Sequence, residues 1–341
     1  MRWIAALLAL CLIAGGCSKD DDNGPVTLRL VTHDSFAASD AVLKSFTEST
    51  GIKVKIVMSG DAGAALNQSI VNRRHPLGDV FFGVDNTFLT RALKADLFEP
   101  YTSPALADVP TMYQLDPEHR VTPIDHGEVC VNYDKDKVGT PPRTFDDLAS
   151  KDRKDELVVE NPATSSPGLA FLLATIATYG ENGWQGYWRK LKANGVEVVN
   201  GWEEAYEQSF SGGSGAGDKP LVVSYATSPP AEVVFAEKPL DDAPTGVMTS
   251  TCFEQIETAG VFRYGKHKDA ARQLVDFMLS RRFQEDMPLQ MFVFPVVRGV
   301  ELPPEFTKYA AKVEHPLSIP AKDIDANRER WIGEWTKIVL G

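Results

Sequence analysis

The chain has 341 residues, 43% of them hydrophobic and 24% charged. That composition excludes a wholly disordered chain, a fibre and a multi-span membrane protein, and the length leaves room for two domains with a core each. Lys and Arg number 35 against 47 Asp and Glu, a net charge of -12, which argues against sequence-independent binding to nucleic-acid backbones and suits a cationic ligand.

The first segment reads as an address. Arg2 precedes an apolar run from Trp3 to Gly16 that is too short to span a bilayer comfortably and ends in small residues, the pattern of a secretory signal peptide over residues 1–16. The ending Ile13-Ala14-Gly15-Gly16-Cys17 resembles the bacterial lipobox, with Ala14 where that motif more often has Leu. The resemblance implies cleavage before Cys17 and lipid on its sulfur; the alternative is an ordinary signal peptide followed by a Cys. Residues 17–25 then form a solvated tether. The expectation is an exported, periplasmic lipoprotein that meets the membrane only through its anchor.

From Val26 the chain alternates strand and helix patterns. Leu28 to Val31 reads as a strand, Val42, Leu43 and Phe46 as a helical face ending near Gly51, and Val54 to Met58 as a strand. A helix through Ala65, Leu66 and Ile70, a buried strand at Val80-Phe81-Phe82 and a helix through Phe88 and Leu93 follow. This alternation is the signature of a parallel sheet covered on both faces, in which ligands sit beyond the carboxyl ends of the strands. The polar residues after these strands, His33-Asp34-Ser35, Gly60-Asp61-Ala62 and Asp85-Asn86, are therefore candidates.

A loop-like section from Tyr101 to Pro123 leads into an alternating strand that carries Cys130. Leu157-Val158-Val159 is a short strand before Thr164-Ser165-Ser166-Pro167-Gly168, where either Ser can cap a helix and Pro167 suits its first turn. Two more strands end at Val199 and Val223, each followed by an aromatic and polar run, Gly201-Trp202-Glu203-Glu204-Ala205-Tyr206 and Ser224-Tyr225-Ala226-Thr227-Ser228-Pro229. These runs read as strand-end loops, and Ser209 to Gly217 as a surface loop. Together they make a second α/β lobe.

Of the four cysteines, Cys11 leaves with the signal and Cys17 takes lipid. Cys130 and Cys252 both sit in strand-like runs, where they are either a disulfide between neighbouring strands or two buried free thiols; export favours the disulfide. Catalytic patterns are weak. The six histidines have no metal-ligand spacing, and Gly212-Gly213-Ser214-Gly215-Ala216 misses the nucleophile-elbow pattern at its last position. Aromatic faces beside carboxylates, by contrast, attract organic cations and sandwich planar heterocycles.

These residues are similar to those of the thiamine-binding periplasmic proteins of bacterial ABC transporters. The resemblance runs from Thr32-His33-Asp34-Ser35-Phe36 through Gly83-Val84-Asp85-Asn86, Tyr133-Asp134-Lys135, Thr164 to Leu169, Gly201 to Tyr206 and Ser224 to Pro229, ending at Arg330-Trp331-Ile332-Gly333-Glu334-Trp335. It implies the α/β type 2 periplasmic-binding fold: two lobes, each a sheet flanked by helices, with the ligand cleft between them. The expected lobes are 26–125 plus 255–300 and 126–254 plus 301–341, joined by hinge strands near 126–133 and 249–256. The implied ligand is thiamine, thiamine monophosphate or thiamine diphosphate, and the implied partner is a membrane permease. No cofactor, metal, catalysis or nucleic acid is expected, and the protein is expected to be a monomer.

Carried over by position, the resemblance implies Trp202 and Tyr225 as ring partners, with Tyr206, Thr227 and Ser228 beside them. Phe292 stands in Phe292-Val293-Phe294-Pro295 where the family has Trp, which weakens cation-π contact there. Asp34, Asp61 and Asp85 are candidates for the aminopyrimidine or thiazolium, and Ser35, Ser165 and Ser166 for phosphate or hydroxyl. The rivals are a same-fold binder of ferric iron or another solute, although the chain has no adjacent tyrosines, and a thiaminase-like transferase that uses a cleft cysteine.

Overall fold

The computed structural model describes residues 25–341; the signal peptide, Cys17 and the rest of the tether before Pro25 lie outside the described residues. Among the described residues nine strands run in chain order as β1 Thr27–Thr32, β2 Lys53–Met58, β3 Val80–Asp85, β4 Thr122–Asp134, β5 Leu157–Glu160, β6 Glu197–Val199, β7 Leu221–Tyr225, β8 Thr245–Val261 and β9 Phe294–Pro295. They form one sheet in the order β2-β1-β3-β8-β4-β7-β5-β6, with β9 on β4.

Within each lobe the pairing is parallel, β1 with β2 and β3, and β5 with β6 and β7. This follows from short strands joined through helices that cover the sheet. The expectation of a parallel sheet fails at the centre. There β4 and β8 run antiparallel to each other and to β3 and β7, because each leaves one lobe, crosses, and ends in the other. At 13 and 17 residues they are long enough to belong to both lobes.

Local sequence sets the helix ends. Ser39 caps Asp40–Thr50 by accepting the Val42 N–H, and Gly51 ends that helix in the left-handed region at φ 74. Ser165 caps Ser166–Tyr179 by accepting the Gly168 N–H. Eleven residues of this apolar helix, Ser166 to Ile176, are buried without a break, since it runs between the sheet and other helices rather than along the surface.

The C-terminal helix Ala321–Val339 touches both lobes. Trp335 is fully buried against Trp188, with ring centroids 5.4 Å apart and edge to face. On the other side Lys94 pairs with Asp325 at 2.6 Å, and Arg328 donates to the Thr87 carbonyl at 3.3 Å.

Cys130 and Cys252 are bonded, sulfur to sulfur, between β4 and β8. They lie where the register of the two strands shifts, between Val129 and Val131.

Candidate functional site

The strand ends of both lobes converge on one cleft. After β1 the chain turns, and Asp34 accepts the Gly60 N–H at 2.9 Å, tying this turn to the one after β2. Gly60 holds φ 84, a conformation that a Cβ would strain. Asp61 then caps Ala62–Val71, its Oδ1 accepting the Ala62 N–H at 2.6 Å.

The second lobe contributes aromatic rings. The run Gly201 to Tyr206, read from sequence as a loop, is helical from Trp202 onward, passing into a π-helical turn over Glu204–Ser209. The turn stacks Trp202 on Tyr206, centroids 5.1 Å apart and planes 16° apart. Trp202 also meets Tyr225 edge-on at 6.3 Å and donates its indole N–H to Ser224 Oγ at 2.8 Å. Ser228 accepts the Tyr225 N–H at 3.2 Å, and Tyr206 donates its hydroxyl to Glu232 at 2.7 Å. These bonds fix the rings before any ligand arrives.

The main aromatic cavity, about 340 Å³, has Trp202, Tyr206 and Tyr225 on one side, and Phe235 and Phe292 also line it. Phe292 sits in the left-handed region at φ 54, its ring stacked on Phe306 at 6.1 Å. Thr227 and Ser228 line the same wall, and Asp34 and Ser35 the opposite one. A second chamber of about 480 Å³ opens beside it, with Asp61, Thr164 and Gly201 in its walls. Among the described residues no Lys or Arg lines either space, whereas Asp34, Glu203, Glu207, Glu232 and Glu257 line the first. This field favours a cation.

The lobes touch at the back of the cleft. Asp61 Oδ2 accepts the Trp202 N–H at 2.9 Å and Oδ1 the Ser166 N–H at 3.4 Å. Ala64 donates its N–H to the Thr164 carbonyl at 3.0 Å. A Cβ on Gly63 would stand 2.8 Å from that carbonyl, so this approach needs glycine.

Burial raises the Asp61 carboxyl above its usual range against the opposing bond from Trp202. Burial also pushes Asp85 up to about 6, and it pushes Asp125 well above the carboxylate range, with help from Glu257 opposite it. For His33, burial disfavours the proton, but the Glu257 carboxylate outweighs it and the pKa is raised.

Asp34, Ser35, Trp202, Tyr206, Tyr225, Thr227, Ser228 and Phe292 share the main cavity, and Asp61 borders the second. Asp85, Ser165 and Ser166 line neither. Asp85 accepts from Thr87 Oγ1 at 2.7 Å and from the Phe88 N–H at 3.1 Å. Ser165 serves the helix cap, and the Ser166 hydroxyl is buried.

Sequence reasoning missed Glu232, Glu257 and Ser214, which also line the cavity; His33 was noted after β1 but not placed in the site. Glu257 lies in the polar stretch Glu254-Gln255-Ile256-Glu257-Thr258 of β8, and nothing in that stretch sets it apart from Glu254. Ser214 belongs to the stretch read as a surface loop, which bends back so that its N–H reaches Glu232 at 2.7 Å. Among the described residues, no group of three or more His, Cys, Asp or Glu is arranged to hold a metal ion.

Residues 75–327 match the model of a family described as bacterial extracellular solute-binding protein. The thiamine-binding periplasmic proteins of Salmonella typhimurium and Escherichia coli are each 32% identical over 92% of this chain and 93% of theirs. A solved periplasmic thiamin binding protein superposes with a TM-score of 0.80 at 29% identity, covering 92% of this chain and 96% of that one. A ferric binding protein from Campylobacter jejuni, 21% identical with a TM-score of 0.73 over 91% of this chain and 99% of its own, shares the fold. The chain belongs to the bacterial extracellular solute-binding protein family, in the group that contains the thiamine-binding periplasmic proteins.

Proposed function

We propose that this protein is the substrate-binding component of an ABC importer, capturing thiamine or its phosphate esters between its lobes and delivering it to a membrane permease. The observation that carries this reading is the preformed wall of Trp202, Tyr206 and Tyr225 facing carboxylates in a cleft that, among the described residues, no Lys or Arg lines. Thiamine pairs a flat aminopyrimidine with a cationic thiazolium, and such a cleft offers stacking to the first and cation-π attraction to the second.

In this reading the rings of Trp202 and Tyr225 hold the ligand, with Tyr206 stiffening Trp202 from behind and Phe292 closing the mouth. Asp34 meets the exocyclic amine, while Ser35, Thr227 and Ser228 offer hydroxyls. Asp61 and Asp85 act by organising the chain around the ligand, and Ser165 and Ser166 place the start of their helix beside the second chamber, on the side where a phosphate would extend. Closure of residues 26–125 plus 255–300 onto residues 126–254 buries the charged ligand and lets both sides contribute contacts.

Cys130 is bonded to Cys252, so a transferase reading has no free thiolate among the described residues, and we read the protein as a binder without turnover. It works as an exported monomer in the periplasm, held by lipid at Cys17.

Titration of intrinsic tryptophan fluorescence with thiamine and with each phosphate ester tests the reading. Saturable quenching by at least one of them supports it, and an unchanged signal with all three, matched by calorimetry, defeats it.

A further inference from the structure

Stacking on aromatic rings does not account for the floor of the cleft. Asp125 on β4 and Glu257 on β8 stand directly opposite each other, 1% and 5% exposed. Among the described residues no donor group reaches either carboxylate oxygen of Asp125, whose polar neighbour is the Glu257 carboxylate. Glu257 lines the cavity, with Oε1 3.4 Å from His33 Nε2. The imidazole is held over Gly83, where a Cβ would lie 2.5 Å from its Cδ2, and its Nδ1 is 3.1 Å from Ser35 Oγ. Charged and titratable groups reach this floor from the strand ends around it: His33 and Asp34 after β1, Asp61 after β2, Asp85 on β3, Asp125 on β4, Glu203 after β6 and Tyr225 on β7.

Two carboxylates this close and this dry do not both ionise. Asp125, which does not line the cavity and is raised well above the carboxylate range by burial, is the member that keeps a proton. Glu257 is the member that faces the ligand space, and in the empty cleft His33, whose pKa is raised, stands 3.4 Å from it.

We propose that Glu257 is the counter-ion of a cationic ligand, and that His33 surrenders its proton to solvent when the ligand's positive charge takes its place beside Glu257. The proposal rests on the reading of the ligand as thiamine, whose thiazolium supplies that charge. Charge is conserved at the floor: one proton leaves Nε2 and one fixed cation arrives, while Asp125 keeps its proton. Binding is therefore linked to proton release, and affinity rises with pH until His33 is already neutral in the empty protein.

The test is calorimetric titration of the full chain with thiamine and with an isostere whose thiazolium is replaced by a neutral ring, in buffers of different ionisation enthalpy between about pH 5.5 and 8. For the native protein we expect release of up to about one proton per thiamine, with affinity climbing by up to about tenfold per pH unit at the acid end. The isostere should bind at least about tenfold more weakly and release none. Glu257→Gln should lose the preference for thiamine over the isostere, and His33→Gln should bind with an affinity independent of pH.

Thermal melting identifies any variant that fails to fold, and the native protein with the two ligands then decides alone. Equal binding of thiamine and isostere, or thiamine binding without proton release across the range, overturns the counter-ion proposal and leaves the thiamine reading standing. Absence of binding to either ligand overturns both.

Discussion

The carboxylate of Asp61, at the helix start of one lobe, accepts the backbone N–H of Trp202, in the aromatic wall of the other, at 2.9 Å. The bond spans 141 residues of sequence and is made only when the lobes are together. Hydrogen bonds to a charged acceptor contribute about 1.5–3 kcal/mol, so Asp61 works as a clasp. Asp61→Ala is expected to speed ligand release by about tenfold to a hundredfold while changing the association rate little. Stopped-flow fluorescence checks both rates, and an unchanged release rate would remove the clasp from the account.

Trp202→Ala should weaken thiamine binding by about 2 kcal/mol or more, since a desolvated ring under a cation is worth that much. Phe292→Trp should act in the opposite direction by restoring a larger ring at the mouth, where the left-handed backbone at φ 54 already aims the side chain. Calorimetry on the two variants checks both signs. An affinity unchanged by Trp202→Ala would place the ligand elsewhere.

The parts of the site that were legible in the sequence are those set by neighbours along the chain. Ser165 and Pro167 announce a helix start, and Trp202 and Tyr225 follow strands that their own residues define. The contacts that bring separate segments together were not legible. Asp61 is readable as a cap, but its partner Trp202 is known only once the lobes meet. Asp125 and Glu257 become a pair through the register of β4 against β8, which runs unbroken from them to Val129 and Phe253 beside the disulfide; a count along the strands reaches the pair only once Cys130 is known to face Cys252, which the sequence leaves open. The antiparallel centre of the sheet was hidden for the same reason: local patterns give strands, whereas direction comes from where each crossing strand must end.

The same register places Glu128 opposite Glu254, and like charges directly opposite destabilise a sheet. Burial, with Glu254 adding to it, raises Glu128 from 4.5 to about 7. The folded state therefore holds a proton that the unfolded chain has already released. Stability from this site is fully present below the unfolded value and falls as pH rises through the window up to about 7. Glu128→Gln removes the ionisation and should stabilise the protein by roughly 1–3 kcal/mol at pH 8, with no gain at pH 4. Denaturant unfolding at the two pH values checks this, and an equal effect at both would refute it.

The Cys130–Cys252 bond closes a loop with a sequence separation of 122 residues, for which loop-closure entropy predicts a contribution of about 4–5 kcal/mol. Neither sulfur lines the cleft. Replacing both with Ala should therefore lower the midpoint of denaturant unfolding while the folded protein still binds its ligand. Loss of ligand binding by a variant that remains folded would show that the bond sets the geometry of the hinge.

Calorimetric titration of the purified full chain with thiamine at neutral pH decides whether the acidic aromatic cleft holds thiamine. Saturable binding of one ligand per chain is expected, with a Kd of about micromolar or tighter, abolished or sharply weakened in Trp202→Ala. Absence of saturable binding to a folded protein would contradict it.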